Sequence, residues 1–346
     1  MIKIIKYILY SPIDFLNLII GLKKFRKYTV NTYSTYKSMM RLFFIYGDIV
    51  LDFVNKYTKE QKKNISNIKT DKRKYLLEIS ENIKKDGFYV EKNFLSTDDI
   101  IELRKLIENY NFKLRLTDNN IQLGKTHNKF QSKFDPVNPK AILYEFDINY
   151  LINQKIIQKI LLKDEIQLIG QKYFGSLAFF DHISLSITTN FNKLPDSNSA
   201  QLYHFDLDRP KWLKFLTYVN DVDFSNGPHC FIKKTHKNNA IPFSLRSKGY
   251  VRIDDQNKYI KNLIKNEIKI TGKAGTAIIE DTKGLHKGSV VKKGYRILLN
   301  IQINSSMFGS PYNVWKFEHI HNEFIEEFKK KRDFFKYSTN LDQLIN

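Results

Sequence analysis

From about Leu177 to Asn304 the chain alternates apolar and polar residues with a period of two, and this pattern constrains its fold more than any other feature. A period of two is typical of β-strands, in which successive side chains point to opposite faces. The segments with this pattern are FFDHISLSITTNF, LKFLTYVNDVD, PHCFIKK, GTAIIED and YRILLNIQIN. Turn residues such as Asn226–Gly227, Lys248–Gly249 and Gly294 separate them. Short strands at this spacing predict a β-sandwich or a jelly roll.

The residues before these strands are predicted to be mostly helical. Residues 1 to about 75 end in the Lys-rich stretch NKYTKEQKKNISNIKTDKRK. A further helix ends near Asp86–Gly87, the short strand FYVEKNF follows, and Ser96 opens the next helix with Asp99 in a capping box. The final stretch, FEHIHNEFIEEFKKKRDFF, is predicted to form one more helix.

We therefore predict an α+β protein with a double-stranded β-helix core, a cupin-like jelly roll, flanked by helices. The sequence is 42% hydrophobic, which is enough to fill a substantial core. The predicted regions are a basic helical extension over 1–74, the jelly-roll domain over 75–310, and a C-terminal helix within 311–346 that packs on the core.

The first 28 residues, MIKIIKYILYSPIDFLNLIIGLKKFRKY, allow three interpretations. A helix that spans a membrane needs roughly 18 or more apolar residues with few charges. Here Lys3, Lys6, Pro12 and Asp14 interrupt the apolar run. Apolar residues flanked by lysines fit a helix that lies on the surface of an anionic membrane. The third interpretation is a helix that simply packs on the domain.

The charge of the chain is strongly positive, with 57 Lys and Arg against 36 Asp and Glu, a net charge of +21. Such a field attracts phosphorylated substrates, acidic carrier proteins, anionic lipid or nucleic acid. We expect no nucleic-acid partner, because the sequence has neither Arg-rich clusters interleaved with aromatic residues nor a recognisable binding module. The single cysteine, Cys230, excludes an intrachain disulfide, and we expect a cytoplasmic protein, with peripheral contact to a membrane as a further expectation.

Two ligand-type residues lie two positions apart in LYHFDLD, at His204 and Asp206. In a buried strand both would project from one side, opposite three apolar side chains. Much later in the chain, KGLHKGSVVKKGYRILLNIQIN places His286 at the end of a strand. Two histidines and one carboxylate on one side of a metal form the facial arrangement of non-haem Fe(II) oxygenases. The other interpretation of these three residues is a structural polar cluster.

A predicted pocket lies beside this group. Alternation places Arg296 and Asn300 on the polar face of the last strand. An arginine in a desolvated pocket offers a bidentate fork to a carboxylate, such as the distal one of 2-oxoglutarate. Ser184, Thr188 and Lys214 either line the same pocket or belong to an ordinary polar sheet face.

The other histidines are weaker candidates. His229 and His236 lie in the turn-rich segment GPHCFIKKTHK and are predicted to be structural or at the edge of the pocket. His319 and His321 in HIHNE imitate a metal site, but residues two apart on a helix do not share a face. We predict a solvated face there.

The stretch YHFDLDRPKWLKFLTYVNDVDFSNGPHCFIKKTHK resembles the phytanoyl-CoA dioxygenase-like family of Fe(II)/2-oxoglutarate oxygenases. It has an HxD motif, an apolar strand that ends in Asp221–Val222, and an NGP segment followed by Thr235-His236-Lys237. DTKGLHKGSVVKKGYRILLNIQI is similar to the distal segment of the family, and DGFYVEKNFLSTDDIIELR to its N-terminal entry. The resemblance covers roughly residues 75–310, and residues 1–74 have no counterpart in it.

The resemblance implies that His204, Asp206 and His286 bind Fe(II) and are catalytic, and that Arg296 holds 2-oxoglutarate, with O2 as the other cosubstrate. Ser184, Thr188, Lys214 and Asn300 are the further predicted cosubstrate-pocket residues. The sequence departs from the pattern at Thr235, where many relatives have Ser or Gly, and in the order His286-Lys287-Gly288-Ser289, where a His-x-Ser is common.

The predicted function is therefore an Fe(II)- and 2-oxoglutarate-dependent dioxygenase that hydroxylates a small molecule or a lipid-, carrier- or sugar-linked intermediate. The charge favours an anionic substrate. The alternatives are a cupin-like metal-dependent enzyme without 2-oxoglutarate, a catalytically inactive ligand-binding jelly roll, and a membrane-surface scaffold built on the basic N-terminal region.

Overall fold

The computed structural model describes residues 2–28, 32–61, 70–115, 130–197, 199–248, 252–310 and 314–345. It is an α+β structure in which helices precede and flank two antiparallel sheets. The helices are α1 (Ile2–Tyr28), α2 (Tyr33–Tyr46), α3 (Asp48–Thr58), α4 (Thr70–Asp86), α5 (Thr97–Glu108), α6 (Ile148–Ile152), α7 (Lys155–Leu161), α8 (Asp164–Phe174), α9 (Phe243–Arg246), α10 (Lys258–Leu263), α11 (Ile325–Lys330) and α12 (Arg332–Phe335).

Local sequence signals explain several helix boundaries. Ser96 and Asp99 form the predicted capping box at the start of α5, each side chain bonding the backbone of the other. α4 ends at Asp86, as predicted, and Gly175 ends α8 in the left-handed conformation that glycine favours. α4 runs across the position 74/75, where the boundary of the N-terminal extension was predicted.

The strands form an eight-stranded and a three-stranded sheet. They are β1 (Phe88–Glu91), β2 (Phe112–Arg115), β3 (Gln131–Ser132), β4 (Leu143–Glu145), β5 (Phe179–Thr189), β6 (Trp212–Tyr218), β7 (His229–Ile232), β8 (Glu267–Ile270), β9 (Ala277–Glu280), β10 (His286–Gly288) and β11 (Tyr295–Asn304). The large sheet has the order β1-β9-β6-β11-β5-β4-β2-β3, and the small one the order β10-β7-β8.

The inner faces of the two sheets meet, as in the predicted jelly roll. Phe88 of the large sheet packs against Phe231 of the small one, with ring centroids 5.5 Å apart. His229 of β7 reaches Glu280 of β9 at 2.9 Å. On the other face of the large sheet, the apolar residues of β5 and β11 join the main core with α8. The two-residue alternation therefore places the polar side chains of β5 and β11 in the interior, beside a small apolar cluster that includes Leu216, Ile278 and Leu298, and turns their other face to an apolar layer covered by helices.

The N-terminal helices pack behind the metal-ligand segment. Tyr203, Phe205 and Leu207 are fully buried, and they share one hydrophobic cluster with residues of α1, α2 and α3. Phe43 of α2 lies against Phe205, with ring centroids 6.2 Å apart. Since Phe205 stands between His204 and Asp206, the N-terminal helices support the site from behind.

Two secondary-structure predictions are wrong. LYHFDLD is not a regular strand: only Tyr203 and His204 form isolated bridges, to Ile253 and His286, although the side chains still alternate. The predicted single C-terminal helix is broken, because it is helical only from Asn322 onward and is interrupted between α11 and α12 at Lys331. The Lys248–Gly249 turn and part of the Lys-rich stretch, residues 62–69, lie outside the described residues.

Candidate active site

His204 and His286 face each other as a hydrogen-bonded backbone pair. The amide of His204 donates to the carbonyl of His286 at 3.1 Å, and the amide of His286 donates back at 2.9 Å. Their rings have centroids 4.2 Å apart. This cross-strand pairing fixes two imidazoles on the same side of the inner face.

Each imidazole is oriented by a backbone carbonyl two residues earlier. Nδ1 of His204 lies 2.9 Å from the oxygen of Leu202, and Nδ1 of His286 lies 2.9 Å from the oxygen of Gly284. A carbonyl only accepts, so Nδ1 carries the proton in each ring and Nε2 keeps its lone pair. Burial lowers the pKa of both histidines, so both are neutral near pH 7. Two neutral imidazoles with free Nε2 atoms are ready metal ligands.

Asp206 completes the group as an ionised carboxylate. Its backbone is held by a 2.8 Å hydrogen bond from its amide to the oxygen of Thr282. Burial acts to raise the pKa of Asp206, but the ammonium of Lys214, 2.6 Å away, outweighs it and holds the pKa well below its usual value. Oδ2 of Asp206 lies 3.6 Å from Nε2 of His286.

The three side chains fit a divalent metal. One ligand atom from each of His204, Asp206 and His286 lies within 4.8 Å of the others, and among the described residues no other group of three such side chains meets this condition. Two neutral nitrogens and one carboxylate are the ligand set of facial non-haem Fe(II) sites.

Arg296 lies in the same interior, and its buried guanidinium has a free donor that could bind an anion. It is 5% exposed, its guanidinium donates to the oxygen of Gly227 and lies 3.5 Å from Oγ1 of Thr188, and its Nε has no hydrogen-bond partner. Burial lowers its pKa. Within the described part of the chain no carboxylate pairs with it. A buried cation without a counter-ion is costly, so the pocket fits a bound carboxylate.

Gly288 links the position of Arg296 to that of the metal ligand His286. A Cβ added to Gly288 would lie 2.7 Å from Nη2 of Arg296, so the guanidinium rests directly on this glycine. Gly288 follows His286 by two residues on the same face of β10. Two residues of a strand span roughly 6.5 Å, about the length of 2-oxoglutarate.

The other predicted pocket residues also face this interior. Thr188 is paired in register with Arg296, and Ser184 with Asn300, whose side-chain nitrogen lies 3.4 Å from the hydroxyl of Ser184. Oδ1 of Asn300 is buried without a partner. Lys214 contacts Asp206 and therefore belongs to the metal centre. Their contacts with 2-oxoglutarate remain predictions.

The two departures from the family pattern have structural roles. The hydroxyl of Thr235 donates to the oxygen of Ile232 at 2.7 Å and accepts from the amide of Leu285 at 2.8 Å. It therefore fixes the backbone just before His286. The hydroxyl of Ser289 lies 3.0 Å from the sulfur of Cys230, not beside Arg296.

Two features of the site, the partner of His229 and the carboxyl group of Asp208, were not predicted from the sequence. Glu280, fully buried, pairs with His229, whose ring centroid lies 5.8 Å from that of His286. His182, which alternation places on the same face as Ser184 and Thr188, projects from β5 into the interior, where burial lowers its pKa to about 4. Asp208, whose pKa burial and the charge of Asp206 raise to about 6, continues the alternation of the HxD motif, which is the one signal that could have revealed it.

A comparison with protein families decides the class of the chain. The family described as Phytanoyl-CoA dioxygenase (PhyH) matches residues 83–292, more than half of the sequence and the whole metal-ligand set. The chain belongs to this family. It is an Fe(II)- and 2-oxoglutarate-dependent oxygenase with the facial triad His204, Asp206 and His286, and the resemblance seen in its motifs is confirmed.

Three solved structures are similar to this chain over most of its length. The non-heme alpha ketoglutarate dependent epimerase SnoN from nogalamycin biosynthesis has 11% identity, with 67% of this chain and 84% of that chain covered and a TM-score of 0.47. HygX from Streptomyces hygroscopicus, with nickel and 2-oxoglutarate bound, has 12% identity, coverage of 71% and 92%, and a TM-score of 0.46. EctD from S. alaskensis has 13% identity, coverage of 71% and 81%, and a TM-score of 0.44. No curated protein matches the sequence.

Proposed function

We propose that this oxygenase hydroxylates a polar, hydroxyl-bearing substrate, either a small molecule or the polar part of a sugar-, lipid- or carrier-linked intermediate. The substrate class is supported by one observation, the inner face of β5 and β11, which is polar except for Leu298. His182, Ser184 and Ser186 of β5 and Asn300 of β11 are half-buried there, beside the metal ligands and Arg296. Hydroxyl, amide and neutral imidazole groups bind hydroxyls and amides, whereas a pocket for an acyl chain needs an apolar lining.

Each residue of the site then has a defined task. His204, Asp206 and His286 hold the metal, and Arg296 with Thr188 binds the distal carboxylate of 2-oxoglutarate. When bound, Fe(II) with 2-oxoglutarate and O2 supplies the oxidation of a C–H bond, coupled to decarboxylation of the keto acid to succinate and CO2. The buried surroundings of Arg296 exclude water from the carboxylate that it holds, which strengthens the ion pair.

The net charge of +21 favours an anionic form of the substrate, such as a phosphorylated one. A field of this sign raises the encounter rate of anions at low ionic strength. We propose that the enzyme works in the cytoplasm, because its one cysteine, Cys230, is a buried free thiol and the fold uses no disulfide.

The test is succinate release by the purified, iron-loaded protein with matched pairs of substrates. The pairs are sugars and their phosphorylated forms, each with an analogue that lacks one hydroxyl, and acyl chains of equal size. We expect polar substrates to stimulate succinate release and to yield a product one oxygen atom heavier. Coupling by acyl chains alone would contradict the polar substrate class. Coupling only by neutral sugars would contradict the preference for anions.

A further inference from the structure

The outward face of the N-terminal helices is a large exposed apolar surface. Its members are Ile5, Ile8, Leu9, Ile13, Phe15, Leu16 and Ile20 of α1, and Ile49 and Phe53 of α3. Leu9 is 72% and Ile49 is 69% exposed, although large apolar side chains on a folded protein are usually covered. We call this group the outer apolar face. A patch formed by so many neighbouring apolar side chains marks an interaction site.

The opposite side of α1 is firmly attached to the protein. Asp14, in the middle of α1, is buried and accepts hydrogen bonds from Ser38 at 2.9 Å and from Nε of Arg41 at 2.7 Å. Leu18 is buried, and Phe25 packs edge-on against Phe308 at 5.3 Å. Over Ile5–Phe25 the helix is long and apolar enough to cross a membrane, and only 28% of the apolar stretch is buried inside the protein. A spanning α1 would have to break the Asp14 ion pair and leave the core, so docking along its length is favoured.

Two grooves flank α1 and suggest what covers the outer apolar face. The groove on the α3 side has a volume of about 600 Å³ and a mostly apolar lining that includes Phe15, Val50 and Phe53. The groove on the α2 side has a volume of about 670 Å³ and combines Tyr10 and Phe44 with three cationic side chains. These cations are Lys6, Lys37 and Arg41. An apolar groove beside a cationic one matches the acyl chain and the phosphate of a phospholipid.

The exposed charged side chains of α1 and α2 are all positive, and the exposed Asp52 lies on α3. Asp14, the one acidic residue in the sequences of α1 and α2, is buried and paired with Arg41. Lys6, Lys23 and Lys24 of α1 and Lys37 of α2 are exposed. Apolar residues bordered by lysines, with no exposed carboxylate on these two helices, are typical of a surface that binds anionic bilayers.

We propose that the outer apolar face docks into the interfacial region of a bilayer that contains anionic phospholipid, with α1 lying parallel to the membrane plane. The acyl chains contact α1 and the α3 groove, and the phosphates contact the lysines. This role is separate from the chemistry of the iron site, so its test uses no activity measurement.

The test is flotation of the full-length protein with vesicles of phosphatidylcholine alone and of phosphatidylcholine with phosphatidylglycerol. We expect binding to the anionic vesicles that weakens at high salt. Leu9→Gln/Ile13→Gln/Leu16→Gln should weaken this partitioning by about tenfold for each side chain, because three apolar groups no longer enter the interface. These side chains are exposed, so the melting temperature should not change.

A control triple variant separates this surface from exposed apolar residues in general. Val137→Gln/Leu194→Gln/Phe224→Gln changes side chains that are at least as exposed but lie outside the N-terminal helices, and it should bind the vesicles like the wild type.

A pair of charge variants tests the phosphate contacts. Lys6→Gln/Lys37→Gln should weaken binding about fivefold for each lysine, whereas a matched pair elsewhere should not. The matched pair is Lys261→Gln/Lys265→Gln, which are also exposed.

Three results would overturn the proposal. The first is equal binding by the two triple variants. The second is wild-type protein that stays in the vesicles after an alkaline carbonate wash, which indicates a spanning helix. The third is absence of vesicle binding together with a stable dimer in light scattering that the Leu9/Ile13/Leu16 variant dissociates, which indicates a second copy of the chain as the occupant.

Discussion

Gly288→Ala should separate cosubstrate binding from iron binding. The added Cβ would lie 2.7 Å from Nη2 and 3.2 Å from Nη1 of Arg296, whereas ordinary contacts begin near 3.4 Å. The guanidinium must therefore move by several tenths of an ångström away from its position. An arginine side chain can make this shift at little cost in folding stability, but a bidentate pair with a carboxylate depends on position. Hydrogen bonds to charged groups contribute about 1.5 to 3 kcal/mol, so we expect affinity for 2-oxoglutarate to fall roughly ten- to a hundredfold.

The assay is an anaerobic titration of the Fe(II)-loaded variant with 2-oxoglutarate, with iron affinity measured separately. Iron affinity should not change, because the metal ligands are untouched. Gly175→Ala is the matched control: Gly175 ends α8 at φ 64 with no atom within 4 Å of the added Cβ. Gly175→Ala should lower the free energy of unfolding by about 1 kcal/mol and leave the affinity for 2-oxoglutarate unchanged. Wild-type affinity in Gly288→Ala would refute the assignment of this pocket to the cosubstrate.

Three further substitutions test the surroundings of the site. Burial lowers the pKa of His182 to about 4, so the unfolded chain takes up a proton near pH 6.5 before the folded one does. His182 should therefore contribute about 3 kcal/mol to the fall in the free energy of unfolding between pH 6.5 and 4, and in urea titrations the fall should be smaller by about this amount in His182→Gln. Phe43→Ala should lower the free energy of unfolding by about 3 to 5 kcal/mol. It should also weaken Fe(II) binding, because Phe205 loses the ring that packs against it; wild-type iron affinity in this variant would contradict the prediction. Arg209→Met leaves the carboxylate of Asp181, 2.7 Å away, buried without a counter-ion, although Gln302 still donates a hydrogen bond to it. The free energy of unfolding should fall by about 3 to 5 kcal/mol and should be partly restored when Asp181→Asn is added; no restoration would count against the charge as the cause.

The strands of the interior were predictable because strand geometry fixes which side chains share a face. Alternation in β5 and β11 placed Ser184, Thr188, Arg296 and Asn300 on one side, and the structure pairs them in register across the two strands. The face of each side chain follows from its position within its own strand, without knowledge of contacts to distant parts of the chain. The capping box of Ser96 was predictable for the same reason, since its partners are only three residues apart.

Contacts between sheets were not predictable in this way. The pair of His229 and Glu280 joins residues 51 positions apart on facing sheets, and alternation gives the face of each residue but not its partner. The partner of Lys214 was missed for a related reason: alternation placed it on the pocket face, but its length lets Nζ reach Asp206. Its role therefore depends on side-chain reach.

The N-terminal helices show the limit of local patterns most clearly. Their helical character was predicted, but not that Phe43 packs behind the HxD motif. The apolar stripe of α1 faces outward while Leu18 and Asp14 face inward, and both stripes have helical spacing. The sequence alone cannot say which stripe packs on the protein. The domain boundary at 74/75 and the predicted cytoplasmic location stay predictions.

The most direct test of the account is an anaerobic Fe(II) titration with 2-oxoglutarate, followed by the charge-transfer absorption of the metal chelate. Wild type should show the band, His204→Ala should lose it, and Arg296→Ala should need much more 2-oxoglutarate to reach it. Iron binding without the band would contradict the cosubstrate pocket and favour a metal-dependent enzyme that uses no keto acid. Absence of iron binding would contradict the metal centre itself.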